Sequence, residues 1–344
     1  MLEISTSQLK YFRMKFTAIV GNPPYQLMDG GAGVSAKPIY NVFVDVAKLI
    51  KPRAISMIMP AKWYTDGKGL DDFRTKMLND KHIAKLVDYV DSRDCFSNVD
   101  IAGGVCYFLW DNEHNEQCEF VSVSRGIIKS SMRDLAAMDN FVRFIESEAV
   151  IDKVLKQHNT EFYDSRVSSR KPFGLATNAI PLDTGDVVLK HNKGLGYYDS
   201  SLIDKGREMI PLWKVTISYL TAEHAGQTDS EGRKKILSSL AILKPNEVCT
   251  ETYLVIDAVK SEEEAQNLYK YMCSRFVRFL LFQLTSTQHI SKDKFKYVPI
   301  QNLNNTSDID WSKSVADIDQ QLYAKYGLDE SEISFIESKI KPME

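Results

Sequence analysis

The sequence predicts an α/β sheet that gives way, near residue 160, to an α+β region. Two observations carry this. Short apolar runs alternate with amphipathic stretches as far as about residue 130, the pattern of strands and helices in turn. Beyond residue 160, turn-rich segments separate shorter strand candidates. Length agrees, since 344 residues suffice for about two domains.

The elements read in order as follows. Residues 15–20, KFTAIV, predict a buried strand. Residues 38–50, PIYNVFVDVAKLI, space their apolar residues as a helix does and end at Lys51-Pro52. AISMIM at 54–59 predicts a second strand that stops at Pro60. DGKGLDDFRTKMLND predicts a turn and then a helix. IAKLVDYV is a third strand, VDIAGGVCYFLW a fourth and CEFVSVSR a fifth. Residues 133–158 predict one or two helices leading out of the first region. Further on, SSRKPFG, DTGD, KHNKGLGYYDSS and AGQTDSEGRKK are turn-rich, with strands at VVLK, WKVTIS and TYLVIDA between them. One helix is expected over SEEEAQNLYKYMCSRFVRFLLFQL, with Ser261 as N-cap and Glu264 completing a capping box.

Composition excludes several classes. The chain is 44% hydrophobic and 26% charged, with a net charge of −3. No apolar run reaches the ~18 residues of a membrane span, and no basic segment precedes an apolar one as in a signal peptide. The five cysteines, Cys95, Cys106, Cys118, Cys249 and Cys273, form no C-x-x-C pair. They read as reduced thiols of a cytoplasmic protein, with no metal site and no disulfide frame. Residues 1–80 and 161–300 are net positive, while 81–160 and 301–344 are net negative. A positive face is therefore permitted.

The most informative stretch is FTAIVGNPPYQ, where a β-branched run ends in Asn22-Pro23-Pro24-Tyr25. Proline fixes φ and offers no N–H, so two prolines hold an extended backbone with its carbonyls free. An amide oxygen beside such a carbonyl makes two acceptors that can take both hydrogens of a planar amino group. A neighbouring ring can stack on the heterocycle that carries the amine. Strand tips are also where α/β sheets bind ligands. The alternative is a proline-rich turn whose Asn caps backbone groups.

IVGNPPYQ resembles motif IV of the amino-methyltransferases, which methylate adenine N6 from S-adenosylmethionine. PIYNVFVDVAKLIKPRAISMIMPAKWYTDGKGLDDFRTKML resembles the segment that follows that motif, and IAKLVDYVDSRDCFSNVDIAGGVCYFLW the next two strands with their loop. WKVTIS, TETYLVI and FVRFLLFQLTSTQHISKDKFKYVPI resemble the target-recognition region of restriction–modification enzymes similar to Eco57I and TaqI. The resemblance runs over roughly residues 14–300 and implies a partial Rossmann-like methyltransferase sheet followed by an α+β target-recognition domain. Residues 1–130 would be the second half of the catalytic domain, 131–160 a helical connection, 161–300 the DNA-binding region and 301–344 an acidic tail or helix.

The resemblance also implies roles. Asn22 and the Pro23 carbonyl would accept from adenine N6, and Pro24 would hold the loop. Tyr25 would stack on a base flipped out of double-stranded DNA, with Phe96 on its far side, unless Phe96 is a core aromatic. Trp63 reads as core or loop packing. Candidate phosphate contacts are Arg166, Arg170, Lys171, Lys193, Lys214, Arg233, Lys234 and Lys235. Asn22 would form one wall of the cofactor site. The rest of that site needs a strand, a glycine turn and a helix. Only 21 residues precede Asn22, and they hold no such turn. In VVLKHNKGLGYY the G-x-G reads as a hairpin. The expectation is a chain without the main cofactor half: a fragment, a subunit completed by a cofactor-binding partner, or a degenerate copy. One edge of its sheet should then be uncovered. Two functions follow, an adenine-N6 DNA methyltransferase or a DNA-recognition module without independent methylation. A linked nuclease would need more than the Glu337-x-Lys339 of the tail, which reads as part of a charged helix.

Overall fold

The computed structural model describes residues 16–27, 37–64, 69–101, 103–137, 141–157, 161–220, 229–237, 239–285 and 289–343. The glycine-rich stretch at 28–36 and the first four residues of AGQTDSEGRKK lie outside them. The chain divides into two compact units, residues 1–145 and 146–344.

The first unit is a mixed six-stranded sheet in the order β1-β2-β4-β3-β5-β6. Its strands are β1 (Ala18–Gly21), β2 (Ala54–Pro60), β3 (Ile83–Tyr89), β4 (Val105–Asp111), β5 (Cys118–Ser124) and β6 (Ile127–Arg133). β1 runs parallel to β2, and β3 parallel to β5, while β4 lies antiparallel between β2 and β3. Side chains alternate across β2, so Ile55, Met57 and Met59 all face one core. That core takes Tyr40, Val44 and Ala47 from helix α1 (Tyr40–Leu49) and Phe73 and Met77 from α2 (Asp71–Leu78). Trp63 is fully buried there and donates Nε1–H to Cys106 Sγ at 3.3 Å, which settles it as a core residue. β1 forms one edge of the sheet, and Val20 on it is 79% exposed.

One expectation needs correction here: β1, expected as a buried strand, alternates between exposed and half-buried residues because it lies at the edge of the sheet. Residues 127–133 form a further edge strand, β6, paired antiparallel with β5. The stretch from 133 to 158 holds one described helix, α3 (Ile145–Leu155), within the one or two expected.

The second unit carries two three-stranded sheets. One has the order β10-β9-β12, built from Ala241–Leu243, Trp213–Ser218 and Tyr253–Val259. The other has the order β11-β7-β8, built from Glu247–Cys249, Val187–His191 and Gly194–Tyr198. VVLKHNKGLGYY is the β7–β8 hairpin, as its turn residues suggest. The long helix after Ser261 is in fact two, α4 (Glu262–Cys273) and α5 (Arg275–Leu284). Ser261 and Glu264 form the expected capping box. Ser274 leaves the helical region at ψ 146° and its hydroxyl caps α5 by accepting from Val277 N–H. The last segment forms α6 (Val315–Lys325) and α7 (Glu330–Lys339). Both join the body of this unit: Phe276 stacks on Tyr326 at 4.8 Å, and Arg275 pairs with Glu337 at 2.8 Å. Glu337 and Lys339 thus sit on a packed helix.

Candidate active site

The site is built at one end of the first sheet. The C-terminal end of β1 aligns with Met57 of β2, and Pro60 and Tyr89 both oppose Val105, the first residue of β4. The segments leaving β1, β2 and β3 therefore emerge from the same end. They carry residues 22–27, 61–64 and 90–104.

Asn22 follows directly on the last residue of β1 and is exposed, while Pro23 is buried and Pro24 is exposed. The loop is tied down just past the prolines. Ile39 N–H donates to the Tyr25 carbonyl at 3.2 Å, and Leu27 N–H to the Lys37 carbonyl at 3.1 Å. The amide side chain is thus held out from a backbone anchored on both sides. A Cβ at Gly21 would meet nothing within 4 Å among the described residues. Tyr25 is half-buried. Burial raises its phenol pKa, the nearby Asn22 side chain pulls it back, and the Cys95 sulfur adds to the rise. The Tyr25 hydroxyl has no partner in hydrogen-bonding geometry among the described residues.

Cys95 precedes Phe96 on the 90–104 segment, which leaves the same end of the sheet as the N-P-P-Y loop. Phe96 is half-buried on a loop fastened by Ser92. The Ser92 hydroxyl donates to the Val99 carbonyl at 2.9 Å and accepts from Ile101 N–H at 2.8 Å, while Phe96 N–H donates to the Ser92 carbonyl at 2.7 Å.

Two residues with no assigned role in the sequence reading help to shape this end. Asp88, on β3, has no exposed surface and takes a bidentate ion pair from Arg143. Burial pushes the Asp88 carboxyl up and the guanidinium opposes it. A signal was present in the sequence. Each is a lone charge inside an apolar run, LVDYV and FVRF, and isolated charges in such runs need a partner.

In the second unit the candidate phosphate contacts separate into groups. Lys214 is buried on β9 and its Nζ donates to the Ile210 carbonyl at 3.1 Å, so it does not reach a surface where a phosphate could sit. It is withdrawn from the set. The strand pattern of WKVTIS buries both faces, which an apolar–polar count does not reveal. Arg166 lies 3.8 Å from Asp257. Arg170 and Lys171 share Glu251 at 3.3 and 3.8 Å, and Arg170 also lies over the Tyr219 ring at 4.9 Å. Arg233 pairs with Asp229 and Glu231. Lys234 lies 5.0 Å from the Phe282 ring centroid. Lys193 and Lys235 are exposed.

Gly194 and Gly196, the G-x-G pair, both lie on β8, just past the hairpin turn, and open no helix. Among the described residues no group of three or more His, Cys, Asp or Glu is arranged to hold a metal ion. No described helix is long and apolar enough to cross a membrane.

Comparison with known proteins places these observations in context. Residues 3–96 match the family described as Eco57I restriction-modification methylase. The chain is 41% identical over 104 residues to an uncharacterized adenine-specific methylase of Mycoplasma pneumoniae (strain ATCC 29342 / M129 / Subtype 1), over 29% of this chain and 25% of that protein. Among solved structures it is similar to the type IIG restriction endonuclease BpuSI, with 11% identity, 93% of this chain and 52% of that chain covered, and a TM-score of 0.38. It is also similar to the Type IIL restriction-modification enzyme MmeI in complex with DNA, with 9% identity, 93% and 56% covered, and a TM-score of 0.44. The chain thus spans about a quarter of the methylase relative and about half of each of these two structures.

Proposed function

We propose that this chain is the catalytic-loop and target-recognition portion of an adenine-N6 DNA methyltransferase of a restriction–modification system. The observation that carries the reading is Asn22-Pro23-Pro24-Tyr25 at the tip of β1, inside the segment that matches the methylase family. The first unit then represents the second half of a Rossmann-like catalytic domain. Residues 161–300, within the second unit, are the part that recognises double-stranded DNA.

In this reading S-adenosylmethionine supplies the methyl group when bound, and Asn22 forms one wall of its site. The remaining walls come from a cofactor-binding segment or subunit that pairs along β1. This chain's own residues do the rest. The Asn22 side-chain oxygen and the Pro23 carbonyl accept from the two N6 hydrogens, which keeps the nitrogen lone pair out of conjugation with the ring. Charge developing on that amine is met by fixed dipoles, which need no reorganisation as the bond forms. Tyr25 and Phe96 hold the flipped base from its two faces, recovering part of the few kcal/mol spent on unstacking it. Arg170, Lys171, Lys193, Lys235, Arg166, Arg233 and Lys234 are the residues offered to phosphates.

The test is the modified atom. The full-length or reconstituted enzyme is incubated with S-adenosylmethionine and unmethylated bacterial genomic DNA, and the DNA is digested to nucleosides for mass spectrometry. N6-methyladenine is the expected product. Methylcytosine, or no methylated base in an enzyme that binds both ligands, would refute the proposal.

A further inference from the structure

The Asp88–Arg143 pair lies at the base of the loop that carries Phe96. Arg143 donates from Nε to Asp88 Oδ2 at 2.6 Å and from Nη2 to Oδ1 at 2.8 Å. The same guanidinium donates from Nη1 to the Gly103 carbonyl at 2.8 Å and from Nη2 to the Tyr89 carbonyl at 3.1 Å. Asp88 and Tyr89 close β3, where the loop begins. Gly103 immediately precedes the end of the loop. One planar group therefore joins the two ends of the loop.

The neighbouring backbone is fitted to this arrangement. Gly104 has φ +76°, and a Cβ there would collide with the Tyr89 and Val90 carbonyls and with Arg143 Nη2. Its carbonyl accepts from Ala61 N–H at 3.1 Å, which attaches the loop base to the end of β2. Ser92 braces the middle of the loop, as described above. Phe96 sits between these fastenings.

We propose that Arg143, oriented by Asp88, is a positioning residue that sets where the Phe96 loop stands relative to the N-P-P-Y loop. Stability alone explains the pair poorly. Asp88 has no exposed surface and the Arg143 side chain keeps about a fifth of its own; taking such a pair largely out of water costs about as much as their attraction returns, and an apolar pair often serves stability as well or better. A bidentate guanidinium gives instead a fixed geometry. Here four donor contacts hold one loop at both ends. Lysine could keep the charge but not the fork. The consequence for base capture rests on the adenine reading above, whereas the fastening of the loop does not.

The test has two arms. In the first, hydrogen exchange is followed in Arg143→Lys and Asp88→Asn. Charge-assisted hydrogen bonds are worth about 1.5–3 kcal/mol, so amides of residues 91–104 should exchange roughly 10- to 100-fold faster in Arg143→Lys while β2 and β4 keep their protection. In the second, methyl transfer to unmethylated genomic DNA is measured in the full-length enzyme for Arg143→Lys, Phe96→Ala and the double variant. If Arg143 acts through Phe96, the double variant should be no slower than Phe96→Ala alone. Unchanged loop exchange in folded Arg143→Lys would overturn the proposal. So would losses that multiply in the double variant. Loss of transfer in Asn22→Ala with a wild-type rate in Phe96→Ala would overturn the role of the loop and leave the proposed function standing.

Discussion

Lys214 provides a sharp test of the second unit. It has no exposed surface on β9, and its ammonium donates to the Ile210 carbonyl. Burial lowers its pKa from 10.5 to about 8, although Cys249 and Glu247 both favour the charged form. Below pH 8 the lysine is charged folded or unfolded, and the folded protein bears the whole desolvation cost. Between about pH 8 and 10.5 the unfolded chain binds more protons than the folded one. Stability contributed by this site therefore rises with pH across that window. At ~1.4 kcal/mol per pH unit, the gap is worth roughly 3 kcal/mol. Lys214→Met keeps the stem and removes the charge, at a cost of about 1 kcal/mol for the hydrogen bond lost at Ile210. The variant should be more stable than wild type by about 2 kcal/mol at pH 7, and the advantage should fade by pH 10.5. Urea unfolding from pH 6.5 to 10.5, followed by tryptophan fluorescence, measures it. The Cys249 thiol, pushed up to about 12 by burial, pulls stability the other way at high pH. Its pull acts in both proteins, so the difference between them is the quantity to read. A difference that stays constant over the range, or a variant weaker at pH 7, would refute this account of a charged lysine held in a dry site.

Other outcomes follow from the same structure. Tyr25→Ala should weaken capture of the flipped adenine by about 1–3 kcal/mol and slow transfer, while Tyr25→Phe should be mild; 2-aminopurine fluorescence at the target adenine checks this once the modified positions are known. Equal damage from both variants would show that the hydroxyl carries the role. Lys193→Ala and Lys235→Ala should each flatten the dependence of log affinity for DNA on log salt by about one, whereas Lys214→Met should leave it unchanged, as filter binding from low to moderate salt will show. Gly104→Ala should cost at least ~2 kcal/mol, because its φ of +76° and the surrounding carbonyls leave no room for a Cβ; a chemical melt at wild-type denaturant strength would count against the described loop base.

Much of the first unit was legible because its central strands, β2 to β5, are largely buried and bounded by proline, glycine or charge. β2 ends on Pro60, and β3 to β5 are predominantly apolar. β6 was missed because IIKSSMR has no clean alternation. It is an edge strand with Ile127 and Ile128 exposed, so burial imposes no pattern on it. Ser274 was missed as a break because Cys-Ser-Arg lies inside an unbroken helical periodicity. Only the cap geometry shows that the chain turns there. The N-P-P-Y loop could be read because its chemistry depends on residues adjacent in sequence. The Arg143 contacts could not, since they join Asp88, Tyr89 and Gly103 to a residue far along the chain, and that pairing exists only in the fold.

The central claim is that Asn22 accepts a hydrogen bond from the amine that is methylated. The measurement is single-turnover methyl transfer from tritiated S-adenosylmethionine by the full-length or reconstituted enzyme, wild type against Asn22→Ala, with DNA affinity measured alongside. One pre-organised acceptor facing developing charge is worth ~3–4 kcal/mol, so the rate should fall about 100- to 1000-fold. DNA affinity should change little, because the phosphate contacts lie elsewhere. Transfer at nearly the wild-type rate by Asn22→Ala would contradict the account.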